Sequence, residues 1–255
     1  MHATRRMITL SACLVLLLLA GPIAAVAVGI APLGRDWRLA THNVTGIAPD
    51  PAIRREAIVQ VYGARAFSWR GAFGIHTWFA VKPQGATTFT TYEVIGWRYY
   101  HGLPAIRAAE RRPDTEWFGN APVVLAELSG PAAAEAIPEI ERAVAAYPYN
   151  HDYRVWPGPN SNTFTAYVAR AVPALHLDLP PTAVGKDYLA DGILAPTPSG
   201  TGYQLSVGGV FGLLAGLDEG IEFTVFGLGI GVDPLDLALR LPGLGRVGWR
   251  SIGQL

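Results

Sequence analysis

The chain has 255 residues, half of them apolar and 16% charged, with 20 basic and 20 acidic side chains and one cysteine. This composition excludes a disordered chain, and a chain of this length needs neither disulfide nor metal to hold a core. With Arg5 and Arg6 set apart at the N-terminus, the rest carries 18 basic against 20 acidic residues. That balance exerts no long-range pull on a phosphate backbone and argues against a nucleic-acid partner.

Met7 to Ile30 contains no charged residue, and its centre, Leu14 to Leu19, is strongly apolar. About 20 apolar residues cross a hydrocarbon core of roughly 30 Å. Residues 1–30 are therefore expected to form a transmembrane anchor or signal-anchor. A cleaved signal peptide competes with this reading, with Arg5-Arg6 as its basic start and Ala25-Val26-Ala27 as its cleavage site. Against cleavage, the apolar run continues to Ile30. The positive-inside rule leaves the N-terminus in the cytoplasm and the remainder on the far side of the membrane. Cys13 lies within the apolar run, so the remainder has no thiol for a disulfide, a nucleophile or a metal site.

Residues 31–56 read as a polar, proline-containing lead-in to a single unit over 57–255. Ala57 to Phe67 alternates as a strand with Gly63 as its bulge, and Ile75 to Val81 reads as a second strand. After the turn Lys82-Pro83-Gln84-Gly85, Thr87 to Trp97 is rich in threonine and aromatic residues and completes an antiparallel hairpin. Residues 98–122 read as a long connection with one short helix, and Val123 to Leu128 as a short strand. Ala132 to Ala146 spaces Ala133, Ile137, Ile140 and Val144 along one helical face, with Pro138 kinking it or marking its first turn. The segment Trp156-Pro157-Gly158-Pro159-Asn160 is a rigid turn, after which Asn160 or Ser161 caps a helix to about Val172. Tyr203 to Val232 is glycine-rich and apolar. It reads as two strands, 203–214 and 221–230, joined at Asp218-Glu219-Gly220. A second membrane span is disfavoured by Asp218, Glu219 and Glu222, and a surface touching the bilayer beside the anchor is the alternative. The fold class is therefore α+β, an antiparallel sheet packed against two or three helices.

No linear signature for a nucleotide cofactor is present, and the six histidines lack metal-site spacing, so no cofactor and no metal are expected. Two stretches could carry chemistry. His76 and Glu93 fall on adjacent strands, where a carboxylate can orient an imidazole. Asn160, Ser161, Asn162 and Thr163 fall at a helix start, where free backbone N–H groups favour negative charge. The plainer alternatives are a satisfied histidine and ordinary caps. Tyr149, His151 and Trp156, with Asn160 and Asn162, are candidates for a ligand pocket. Asp187 reads as a cap, and Trp78, Trp97, Trp117 and Trp156 as core or as a groove wall.

The stretches VYGARAFSWRGAFGIHTWFAVKP, YEVIGWR, WFGN, YPYNHDYRVWPGPNSNTFTAYVAR and LPPTAVGKDYL resemble a bacterial membrane-anchored family whose domain has no assigned function. A more distant resemblance is to circularly permuted papain-like hydrolases and acyltransferases. There a histidine on one strand precedes a polar residue on the next, and a cysteine opens a later helix. That resemblance implies a permuted papain-like core, with His76 as base, Glu93 as orienting residue and Ser161 in the nucleophile's place. Serine is much harder to deprotonate than cysteine, so Ser161 is a nucleophile, a relic in a binding groove, or a cap. Two functions follow. One is a non-catalytic envelope module for a peptide, glycan or lipid ligand, such as a cell-wall or lipid component. The other is an amide or ester hydrolase or acyltransferase using Ser161, His76 and Glu93.

Overall fold

The computed structural model describes residues 2–248. Met1 and residues 249–255, the end of the expected 57–255 unit, lie outside the described residues. The apolar N-terminus forms one helix, α1 (His2–Ala27), of which Thr4–Ala27 is long and apolar enough to cross a membrane. Met7, Leu10 and Leu16 on this helix are exposed. From Leu18 to Ala25 one side is covered instead. Gly21 and Pro22 lie against the backbone of Pro242 and Gly243, closely enough that no Cβ fits at Gly21. Ala25 packs with Ala72, Phe73 and Leu244.

The first sheet contains β1 (Ile58–Arg65), β2 (Ile75–Lys82), β3 (Thr90–Val94), β4 (Ile106–Glu110) and β5 (Val123–Ser129), with the short helix α2 (Gly96–Tyr100) between β3 and β4. Its order is β4-β3-β2-β1-β5, and every pairing is antiparallel. The irregularity expected at Gly63 falls just before it, where the β1–β5 register shifts between Val61 and Tyr62. Helices α3 (Gly130–Ala146) and α4 (Ser161–Ala171) cover one face of this sheet. Ile137 and Ile140 of α3 and Phe164 and Val168 of α4 pack there with Val59, Val61, Phe79 and Val81. Pro131 occupies the start of α3, and Pro138 lies inside the helix without ending it. The long connection expected over 98–122 contains β4. Its sequence, IRAAE, has the polar and small residues of an edge strand, and it pairs with β3 alone.

The C-terminal part differs most from expectation. It is a second, seven-stranded antiparallel sheet in simple up-and-down order: β6 (Leu194–Pro196), β7 (Gly202–Val207), β8 (Phe211–Gly216), β9 (Gly220–Val225), β10 (Leu228–Asp233), β11 (Ala238–Leu241) and β12 (Gly245–Gly248). Each of the two strands expected over 203–214 and 221–230 is a hairpin. The first turns at Gly208-Gly209 and the second at Phe226-Gly227, and all four of these residues have positive φ. The connection at Asp218-Glu219-Gly220 lies between β8 and β9 as read from the sequence.

Strand alternation gives this second sheet two unlike faces. One cross-strand row is Tyr203, Ala215, Ile221, Val232, Leu239 and Val247, and these side chains are exposed. A neighbouring row, Leu205, Leu213, Phe223 and Ile230, lies on the same face. The opposite face carries Gln204, Glu222, Arg240 and Arg246 in one row with Leu214 and Gly231. The polar side is thus turned inward and the apolar side outward.

Buried charge on the inner face is closely paired. The carboxylate of Glu222 meets Lys186 Nζ at 2.7 Å through Oε1 and Arg240 Nε at 2.7 Å through Oε2. Arg240 continues to Asp178 at 2.8 Å and donates to the Leu179 carbonyl at 2.8 Å. Burial would raise the Glu222 carboxyl, but Lys186 and Arg240 hold it below the usual carboxylate range. Asp187 is not the cap its sequence suggests. It is buried, accepts from Gln204 Nε2 at 2.6 Å and Thr224 Oγ1 at 2.8 Å, and is pushed up by that burial. These bonds tie the segment 178–187 to the second sheet. A Cβ at Gly229 would collide with the Glu222 carboxylate. Gly229→Ala should therefore destabilise the protein by about 1–3 kcal/mol, read as a lower midpoint in chemical denaturation. An unchanged midpoint would show that the layer has slack.

Candidate functional site

The two faces of the first sheet carry different chemistry, and β2 shows the division. Ile75, Thr77, Phe79 and Val81 point toward α3 and α4, whereas His76, Trp78 and Ala80 point the other way. On that second face β2 is joined by Glu93 of β3. His76 Nε2 lies 3.0 Å from Glu93 Oε2, and Glu93 is fully buried. Arg111 Nη2 donates to Glu93 Oε1 at 3.1 Å, and Arg107, opposite Glu93 in the β3–β4 register, lies 3.8 Å from the same oxygen. Burial alone would raise the Glu93 carboxyl. The hydrogen bond from His76, its charge and those of Arg111 and Arg107 outweigh it and hold the group below the ordinary carboxylate range.

Aromatic rings close over this pair. The His76 ring stacks on Trp117 with centroids 3.6 Å apart and on Trp78 at 5.7 Å, and Trp78 stacks in turn on Tyr62 at 5.6 Å. Outward from Trp117, Phe118 follows at 5.1 Å, and the exposed His42 lies 5.1 Å beyond it. Trp117 is presented by a tight turn in which Phe118 and Gly119 both have positive φ and Trp117 bridges to Asn120. Asn120 Nδ2 fastens this turn to the Arg65 carbonyl at 3.0 Å. The lead-in clips alongside: Thr41 and Asn43 both donate to the Glu116 carboxylate, and Val44 bridges to Thr115.

Ser161 lies elsewhere. It opens α4, on the face of β2 occupied by Thr77, whose Oγ1 is 2.8 Å from Thr165 Oγ1 and 3.0 Å from Asn162 Oδ1. The sheet therefore separates Ser161 from His76, and the expected Ser161–His76–Glu93 triad is reduced to a His76–Glu93 pair. The physical reason is parity, because residues 76 and 77 of one strand must face opposite ways. Asn160 and Asn162 are buried, and their amides are committed to the protein. Asn160 Oδ1 accepts from the N–H groups of Asn162 and Thr163, and its Nδ2 donates to the carbonyls of Val155 and Val184. Asn162 Nδ2 donates to the carbonyls of Ile75 and Val184. The rigid turn before them has cis peptide bonds at both Pro157 and Pro159. Trp156 is half-exposed, with its Nε1 donating to the Phe226 carbonyl at 2.9 Å, and His151 is exposed.

Among the described residues no cluster of three or more His, Cys, Asp or Glu is arranged to hold a metal ion. A concavity of about 560 Å³ runs between α3, α4 and residues 189–195. Ala143, Ala146 and Ala171 are among its lining residues. Glu139, Arg142, Tyr167 and Asp191 supply charge of both signs and one aromatic ring, whereas the Arg170 guanidinium is committed to the Pro196 carbonyl at 2.9 Å and Gln204 Oε1 at 2.6 Å. Of the expected ligand residues, Tyr149 borders it, its hydroxyl donating to the Ala190 carbonyl at 3.2 Å. Arg107, Arg111, Arg142 and Tyr167 were not singled out from sequence. Arg107 and Arg111 fall on or beside the unrecognised strand β4.

The carboxylate of Glu93 generates a pH-dependent prediction. Its folded value lies below the unfolded reference of about 4.3. The stability it contributes is therefore fully present above that reference and is lost as pH falls through the folded value. Glu93→Gln should cost about 1.5–3 kcal/mol at pH 7, and the deficit relative to wild type should shrink toward pH 3 in denaturation curves. A deficit that does not change with pH would mean that packing, not charge, holds the pair.

A comparison with curated proteins and one with solved structures each find no match. Residues 56–188 match the profile of a protein family described as being of unknown function, DUF3750. This segment runs from the start of β1 through α4 to the buried Lys186 and Asp187, just over half of the chain. The chain belongs to the DUF3750 family.

Proposed function

We propose that this protein is a membrane-tethered envelope module that binds a ligand without transforming it, with its sheets on the periplasmic side of the inner membrane. The observation that carries the binding reading is the groove between α3 and α4. Its small alanine side chains admit an extended chain, and Glu139, Asp191 and Arg142 offer partners of both signs. A short peptide of mixed charge, such as the peptide portion of a cell-wall fragment, has the matching chemistry. The tether rests on α1, with Arg5 and Arg6 on its N-terminal side. The hydrolase alternative would need Ser161 within hydrogen-bonding reach of His76. The two lie on opposite faces of the first sheet, which favours binding over acyl transfer.

Two measurements test this. Soluble muropeptides titrated into the full chain in detergent should bind, and Arg142→Ala and Tyr167→Ala should each weaken binding about tenfold, equivalent to roughly 1.4 kcal/mol. Absence of binding, or affinities unmoved by both substitutions, would reject the groove. A fluorophosphonate probe should leave Ser161 unmodified. Labelling of wild type that disappears in Ser161→Ala would restore the hydrolase reading.

A further inference from the structure

We infer that the second sheet lies partly immersed in the lipid bilayer beside α1, its apolar outer face against acyl chains in the leaflet where the helix emerges. This inference rests on the reading of α1 as a membrane span. Three independent features of the sheet support it.

The first is the sidedness of the sheet. The residues that pair across its outer face are uncharged, while Glu222, Asp233, Arg240 and Arg246 turn inward. Burying the charged face and exposing the apolar one is unfavourable in water and favourable against hydrocarbon.

The second is a polarity along the strands. The turns at one end are Gly208–Val210, Phe226-Gly227 and Pro242–Leu244, and they contain no charged residue. The turns at the other end include Asp218, Glu219 and Asp236. The uncharged end is the one that touches α1, through Pro242 and Gly243 against Gly21 and Pro22. Trp156, with its indole bonded to the Phe226 carbonyl, is half-exposed at this same end. Exposed tryptophans of this kind are enriched where protein meets the membrane–water interface.

The third is depth. Gly21 precedes the end of α1 at Ala27 by six residues, about 9 Å of helix. Protein contact begins deeper still, at Leu18. A span that is covered this far from its end draws its covering into the leaflet with it. Beside the contact, an apolar cleft of about 380 Å³ lined by Leu19, Ile23, Val26, Trp69 and Phe73 has the character of an acyl-chain site. The strands are at most six residues long, about 20 Å. Spanning strands need about 9–11 residues, so the sheet enters one leaflet and does not form a transmembrane barrel.

The test uses the full chain in vesicles of phosphatidylethanolamine and phosphatidylglycerol, with a bimane label at single cysteines. Native Cys13 reports on α1. In a Cys13→Ser background, Phe211→Cys and Leu205→Cys report on the outer face, and Glu135→Cys, exposed on α3, reports on water. Circular dichroism verifies that each variant folds. Nitroxide-bearing lipid should quench the labels at 211 and 205 at least about threefold more than the label at 135, and aqueous iodide should do the reverse. Lipid quenching at Cys13 with iodide quenching at 211 and 205 would overturn immersion and leave the anchor standing. No lipid quenching at Cys13 would overturn the anchor and the inference together. Protection of 211 and 205 from both quenchers would mean that protein, such as a second copy of the chain, covers the face, and would also overturn it.

Discussion

The carboxylate of Glu222 is the constraint around which the C-terminal half is arranged. It is fully buried, and it is bound at once by Lys186, near the end of the family segment, and by Arg240, in the second sheet. An unpaired charge at that depth would cost several kcal/mol, so neither cation can be withdrawn independently. The inward glycines of the sheet follow from this. Gly229 and Gly231 leave room for the acidic side chain and for close backbone approach. The outward apolar rows follow as well, because a strand that commits one parity to ions leaves the other to its remaining residues.

The first sheet solves a related problem with different means. One face is an ordinary aliphatic layer under two helices. The other places a single buried carboxylate among His76, Arg107 and Arg111 and seals it with indole rings. The His76–Glu93 pair has the geometry by which a carboxylate orients an imidazole, yet the ring stacks on both Trp117 and Trp78. Its evident work is to join β2 and β3 beneath the turn that carries Trp117. The concavity of about 560 Å³ lies on the far side of the sheet, between the helices.

Much of the first sheet was legible because its strands alternate and its turns are marked by Lys82–Gly85 and by the proline-rich run before Asn160. That His76 and Glu93 would meet was also legible, since both lie on strands joined by a short hairpin. The side of the sheet on which Ser161 would fall was not. Both parities of β2 are largely apolar, Ile75, Phe79 and Val81 on one side and Trp78 and Ala80 on the other, so hydrophobicity alone does not say which side receives α4. Strand β4 was hidden by its polar, alanine-containing sequence. The second sheet was underread for two reasons. Its strands are short and its turns are glycines embedded in apolar sequence, so two hairpins looked like two strands. Its buried residues are the charged ones, which inverts the usual rule for deciding which side of a strand faces inward. The pairings among Lys186, Glu222 and Arg240 link residues far apart in the chain, and no local pattern announces them.

The inverted alternation of the second sheet bears on how such a chain can change over time. Deleting or inserting one residue within β9 would exchange its two sides, driving Phe223 and Ile221 among the ions and placing Glu222 outside. Changes of two residues, or length changes confined to the turns, would preserve parity. Descendants of this sequence should therefore vary in loop length while the strands keep their phase, much as a reading frame tolerates some indels and not others.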